Sequence, residues 1–200
     1  AESVRPGQPA RHSASRRRSR RRWSATIEAM TVPTRVEAAS LLLSLDPPPW
    51  QVRHARAVAE VAGWLAARIE GNGIAVDRRL VESAALLHDA DKSLPPDDPA
   101  RGLPHGEGSA AWLERRGHPE LRRAVTHHPV TRLADGEAYR RWAAFASREE
   151  RIVAYADKRA SQRLESMDAR FAGWARRHPD KWSAEERRTV RSRADRLEAD

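Results

Sequence analysis

Histidine and aspartate recur along this chain at positions from which their side chains could converge on a metal. His88-Asp89 follows Ala84, Ala85 and Leu87 at the end of an expected helix, with Lys92 within the next turn. Adjacent side chains on a helix point about 100° apart, so this imidazole and carboxylate can grip a cation lying off the helix end. A single His-Asp pair is common by chance; the other histidines make it informative. Of eight histidines, His12 falls in a basic tail, while His118 and His178 precede prolines at helix boundaries. The remaining His54, His88, His105, His127 and His128, with Asp89 and Asp157, fall at helix ends or on inward stripes of five expected helices. One inward histidine is ordinarily a hydrogen-bonded core residue. Five of them, with an inward aspartate, find few free partners in a helical core, and a cluster of cations resolves the conflict.

The elements that must position these groups are helical throughout. Thr34-Arg35-Val36-Glu37 has the form of a capping box, and its helix runs through Leu41, Leu42 and Leu43 to Pro47-Pro48-Pro49 as a lid or packing helix. A second helix, Trp50 to Glu70, carries the stripe His54, Val58, Val61, Leu65 and Ile69 and ends at Gly71-Asn72-Gly73. Asp77 caps a third, whose Val81, Ala84 and Ala85 bring His88 to the inward face. A proline-rich loop with Pro95, Pro96, Pro99 and Pro104 leads to His105-Gly106, which opens a fourth helix through Trp112 to Gly117. Pro119 starts a short fifth, where Leu121, Ala124, Val125 and His128 share a face and His127 sits at its edge. The longest expected helix spans Arg148 to Trp174 on the stripe Val153, Asp157, Ala160, Leu164, Met167, Phe171 and Trp174, which places a carboxylate in an apolar slot. Ser183-x-x-Glu186 caps a charged terminal helix. No strand signal or internal repeat is present, so the fold class is all-α.

Composition bounds the remaining choices. Two hundred residues suffice for one domain with a full core. The absence of cysteine removes disulfides, thiolate metal sites and cysteine nucleophiles. No apolar run is long enough for a membrane span or a secretion signal, and the expected location is the cytoplasm. Residues 1–29 hold eight arginines against Glu2 and Glu28, a balance of +6 within the overall net charge of +9. They read as a disordered basic tail capable of weak, non-specific nucleic-acid contact. Met30 is a candidate start, in which case those residues lie outside the native chain. The expected organisation is this tail, a helical core over residues 30–175, and a linker with a charged helix over 176–200. The seven tryptophans read as core and helix-seam residues rather than a base-stacking platform.

Only three of the 37 basic residues are lysine, at 92, 158 and 181. In a chain that otherwise uses arginine, Lys92 beside Asp89 is a candidate to hold a transferring phosphate or protonate a leaving oxygen. Lys158 reads as a solvated lysine, and Arg122, Arg123, Arg132, Arg140 and Arg141 are candidates for gripping polyphosphate.

The ordered set His54, His88-Asp89 in Leu-Leu-His-Asp-Ala-Asp-Lys, His105-Gly106, His127-His128 and Asp157 in Tyr-Ala-Asp-Lys resembles the HD-domain superfamily of metal-dependent phosphohydrolases, in its HDIG-like branch. In form the chain is most similar to YqeK-type enzymes, which split diadenosine tetraphosphate. Asp91 stands where that family often has glycine, and no Gly-Tyr-Pro signature follows the paired histidines. The resemblance implies a helical bundle holding one or two divalent transition metal ions, iron or manganese first, with zinc, cobalt or nickel also compatible. His54, His88, Asp89 and Asp157 would bind the first, with Asp89 bridging to a second held by His105, His127 and His128. Asp89 and Lys92 would be the catalytic residues. The activity implied is hydrolysis of a phosphoester or phosphoanhydride in a small nucleotide-like substrate by a metal-activated hydroxide. A di-iron oxygenase of the same superfamily uses an almost identical ligand set, and a non-enzymatic nucleic-acid binder acting through Arg16 to Arg22 is the third reading.

Overall fold

The computed structural model describes residues 32–199; the basic tail expected to be disordered, with its nucleic-acid reading, lies outside them. The all-α expectation holds. Ten α-helices follow one another among the described residues: α1 Arg35–Leu43, α2 Pro49–Gly71, α3 Arg78–Leu87, α4 Glu107–Arg115, α5 Arg122–His127, α6 Val130–Ala134, α7 Gly136–Phe145, α8 Arg148–Arg159, α9 Met167–Arg177 and α10 Ala184–Ala199. The only strand-like pairing among them is an isolated antiparallel bridge between Ala160 and Leu164. No described helix is long and apolar enough to cross a membrane.

The caps expected at Thr34, Asp77 and Ser183 form, and Ser147 adds one that the sequence reading did not name. Thr34 and Glu37 make a reciprocal capping box, and α1 packs on α3 through Ala38 and Leu42. Asp77 accepts from Leu80 N at 2.9 Å. Ser147 with Glu150 and Ser183 with Glu186 start α8 and α10 in the same way. The main core lies where α2, α3, α5 and α8 meet, with Leu87, Leu113, Leu121, Val58, Val81 and Val125 fully buried. Each such side chain contributes about 1.5–3 kcal/mol relative to exposure. A second apolar cluster joins α10 to α6–α8 through Val190, Ala194, Leu197, Leu133, Tyr139 and Trp142.

Two expectations change. On α2, His54 and Val58 face inward, but Val61, Leu65 and Ile69 are only partly buried; the centre of the face is Ala55, Ala59, Ala62 and Ala66. Small side chains there let α3 pack closely, so the seam follows alanine rather than the bulkiest residues. The helix expected from Arg148 to Trp174 is two helices, α8 and α9, separated at residues 160–166. Ala160 is extended (φ −127°, ψ 136°), Leu164 is 61% exposed, and Ser166 caps α9 by accepting from Ala169 N. The break frees the carbonyl of Ser161, which the site uses.

Candidate metal centre

Each imidazole of the site is fixed by its Nδ1. His88 ends α3, fully buried, and its Nδ1 lies 2.7 Å from Ala85 O. His128 caps α5 with the same device, Nδ1 to Val125 O at 2.6 Å. His54 reaches Ser161 O at 2.6 Å, and His105 reaches the Asp91 carboxylate at 2.9 Å. Carbonyls and carboxylates only accept, so each Nδ1 carries the proton and each Nε2 presents a lone pair.

Those four lone pairs face one another. His54 Nε2 and His88 Nε2 are 3.1 Å apart, and His128 Nε2 and His105 Nε2 3.2 Å. Asp89, buried just beyond α3, directs one oxygen to each pair: Oδ2 lies 3.3 Å from His54 Nε2 and 3.5 Å from His88 Nε2, while Oδ1 lies 3.2 Å from His105 Nε2 and 3.4 Å from His128 Nε2. Asp157 closes the first pair with Oδ1 3.4 Å from His54 Nε2. Acceptors packed against acceptors are unfavourable unless a positive charge lies between them. Metal bonds of about 2.0–2.2 Å put neighbouring ligand atoms roughly 3.0–3.5 Å apart, which is the spacing found. The residues fit a divalent cation, and the buried His and Asp groups can coordinate one. Ligand atoms lie within 4.8 Å of one another in His54, His88 and Asp157, in His88, Asp89 and His128, and in Asp89, Asp91 and His105.

Without metal, protons take the cation's place. Burial opposes charge on His54, but the Asp157 and Asp89 carboxylates outweigh it and raise the ring to about 9. His105 is likewise raised to about 9 against its burial by Asp89 and Asp91. Burial drives His88 down to about 3 and lowers His128. Each imidazole pair thus joins one protonated and one neutral ring. Burial favours the neutral acids, yet His88 and the hydrogen bonds of His105, His128 and His54 hold Asp89 well below the carboxylate range, and Lys158 does the same for Asp157.

Of the residues singled out in the sequence, His54, His88, Asp89, His105, His128, Asp157 and Lys92 come together. His127 does not: its half-exposed ring lies 6.3 Å from that of Trp142, because neighbouring helical side chains diverge. Lys92 Nζ is 2.6 Å from Asp89 Oδ2. Lys158 is not solvated: it is fully buried, donating to Asp157 Oδ2 at 3.0 Å, Ala154 O at 3.2 Å and His128 O. It locks α8 to the end of α5. Four of the arginines considered for polyphosphate are engaged by carboxylates instead, Arg122 by Glu114, Arg123 by Glu150, Arg132 by Glu107 and Arg141 by Glu137.

Three supports escaped the sequence reading. Gln51 is fully buried, donates from Nε2 to Asp89 O at 2.9 Å and accepts from Ser93 Oγ at 2.6 Å, so α2 braces the backbone carrying Asp89. Arg170 on α9 places Nη2 3.7 Å from Asp157 Oδ1. Asp91 also accepts from Gly106 N at 2.9 Å. Two glycines make this possible. Gly106 has φ +85°, and a Cβ there would stand 3.0 Å from Thr126 O; at Gly108 a Cβ would stand 2.9 Å from Asp91 Cβ. Gly106 belongs to the His105-Gly106 motif read in the sequence, whereas nothing in the sequence marks Gly108.

A cleft of about 290 Å³ opens beside His54 and is lined by Trp50, Lys92, Ser161, Gln162, Arg170, Trp174, Arg177 and His178. Trp112 and Trp142 are core residues as expected, but Trp50 is 42% exposed and, with Trp174, forms a wall of this cleft.

No curated protein and no solved structure matches the chain. The family model of the HD domain matches residues 52–162, a span that runs from the first turn of α2, just before His54, to just past Asp157 and takes in every imidazole of the cluster. With more than half of its length inside that match, the chain belongs to the HD-domain family.

Proposed function

We propose that the chain is a metal-dependent phosphohydrolase that cleaves a phosphoester or phosphoanhydride of a nucleotide-like substrate, with dinucleoside polyphosphates as the first candidates. HD-domain membership supports the hydrolytic class. The observation that carries the reading is the pairing of four Nε2 lone pairs around the two oxygens of Asp89, beside a cleft of cationic and aromatic character. His54, His88, Asp89 Oδ2 and Asp157 form one ligand set; Asp89 Oδ1, His105 and His128 form the other. His127 is left out of the second set because its ring packs toward Trp142. Iron or manganese suits so many imidazoles better than magnesium or calcium.

Divalent ions held by these residues would supply an activated water and neutralise charge on the phosphoryl oxygens. The chain's own groups do the rest. Lys92, a compact point charge lining the cleft, would hold the transferring phosphate. Arg170 lines the same cleft. Lys158, Gln51 and Asp91 hold Asp157, Asp89 and His105 in place.

The test is elemental analysis of protein prepared without chelator, followed by a nucleotide panel assayed under nitrogen. Bound transition metal and phosphate or nucleotide release without oxygen support the proposal. Strict dependence on oxygen would move the assignment to the di-iron oxygenase chemistry that the same ligands allow.

A further inference from the structure

The cleft does not end at the metal-facing wall. It shares Ser161, Gln162, Arg170 and Arg177 with a wider trough of about 550 Å³, whose other walls include Arg163, Gly173 and Arg176. Arg177 Nη1 and Arg176 Nη2 approach to 3.5 and 3.9 Å of the point where a Cβ on Gly173 would stand, so two guanidinium groups converge over a bare stretch of α9. Among the described residues, neither they nor Arg163 engage a carboxylate, unlike the arginines of α5, α6 and α7. The acid in the trough, Glu165, accepts from the Ser161 hydroxyl at 2.6 Å. Arg170 lines both volumes, touches Asp157, and keeps a buried Nε without a hydrogen-bond partner.

Convergent guanidinium groups repel one another, and an anion placed between them removes the repulsion. The planar fork suits phosphate oxygens in particular. Lys92, Arg170 and Arg177 line the cleft and Arg170, Arg177, Arg176 and Arg163 line the trough, so cationic groups border both volumes. We infer that this trough is a subsite for a chain of linked phosphates, its far members held by Arg176 and Arg177 while the phosphate under attack lies beside Lys92. A single phosphate can touch only one end; a linked chain can touch both. The inference deepens the phosphohydrolase proposal and rests on it for the substrate's orientation. The wall it uses lies beyond residue 162, outside the family match, so the preference for chain length belongs to this protein's own α9.

The test compares metal-loaded wild-type protein with Arg176→Ala/Arg177→Ala in titrations with inorganic orthophosphate, pyrophosphate and tripolyphosphate, read by the fluorescence of Trp50 and Trp174. Both proteins carry the same centre, so chelation by the longer anions affects them equally and the difference between them reads the arginines. Wild-type affinity should rise about tenfold or more from orthophosphate to tripolyphosphate, and the double variant should lose that rise. Arg176→Lys/Arg177→Lys, which keeps the charge and loses the fork, should fall between them, and far-UV circular dichroism checks that α9 stays folded. Affinity that does not grow with chain length, or a double variant that binds tripolyphosphate like wild type, overturns the inference. Displacement of tripolyphosphate by a short single-stranded oligonucleotide at lower concentration also overturns it. Turnover of bis-p-nitrophenyl phosphate, which has no phosphate chain, reads the hydrolase proposal separately: its absence beside intact length-dependent binding would sink the activity and leave the subsite standing.

Discussion

In one half of the centre the side chains of His54 and His88 are 8% and 0% exposed, whereas in the other His105 keeps 38% of its side chain in solvent. The enclosed half is assembled from contacts far apart in the chain: His54 on α2 with Ser161 after α8, and Gln51 with Asp89. The open half is more local, with Asp91, His105, Gly106 and Ser109 bonded across one loop and only His128 brought from α5. A cation in the enclosed half would therefore be lost only when helices move, while one in the open half could exchange as a loop breathes. The difference would separate an ion held by the fold from one that exchanges, if both halves are occupied.

Removing the shared ligand should erase this contrast with the largest effect. Asp89→Asn is expected to abolish metal in both halves and lower hydrolysis by more than about a thousandfold, measured by elemental analysis and steady-state assay on a protein whose circular dichroism is unchanged. Dialysis against a weak chelator should sharpen the contrast: a one-metal intermediate appears, and His105→Ala reaches that stoichiometry without chelator, whereas simultaneous loss of both ions would break it. Asp91→Ala should weaken only the open-half ion, by about 10- to 100-fold, because it removes the partner that orients His105. Lys92→Ala should lower turnover by about tenfold while metal content stays intact; equal turnover removes Lys92 from the mechanism.

The smallest effect concerns pH. His54 and His105 are raised from 6.5 to about 9 in the metal-free protein, so their pairing stabilises it fully below pH 6.5 and is lost as pH rises through about 9. Metal-free protein should therefore melt roughly 5 °C lower at pH 9.5 than at pH 6.5, most of it from His54, since solvent screens His105. Metal-loaded protein, having exchanged those protons for cations, should show no such fall; parallel melting curves for the two forms would contradict the assignment.

Much of this centre was legible because caps, stops and periodicity act locally. Thr34, Asp77 and Ser183 start helices that form, and the face shared by Leu121, Ala124 and Val125 delivers His128 inward while leaving His127 at its edge. The resemblance assigned both histidines to the metal, and the helical geometry separates them. What stayed hidden depends on distant partners. Ala160 to Arg163 contain neither glycine nor proline, so nothing local announces the break after α8 that gives Ser161 O to His54. The scarcity of lysine pointed at Lys158, but its burial follows from Asp157 and the His128 carbonyl on another helix. Asp91 was visible only as a departure from glycine; its purpose depends on Gly108 giving it room.

Cations lying between paired imidazoles are the central claim, and anomalous diffraction from metal-loaded crystals at the absorption edge of the bound element observes them directly. One peak is expected among His54, His88, Asp89 and Asp157, and a second, weaker in proportion to its exchange, among Asp89, His105 and His128. Crystals of protein prepared with excess iron or manganese that show no peak against Asp89 would contradict it.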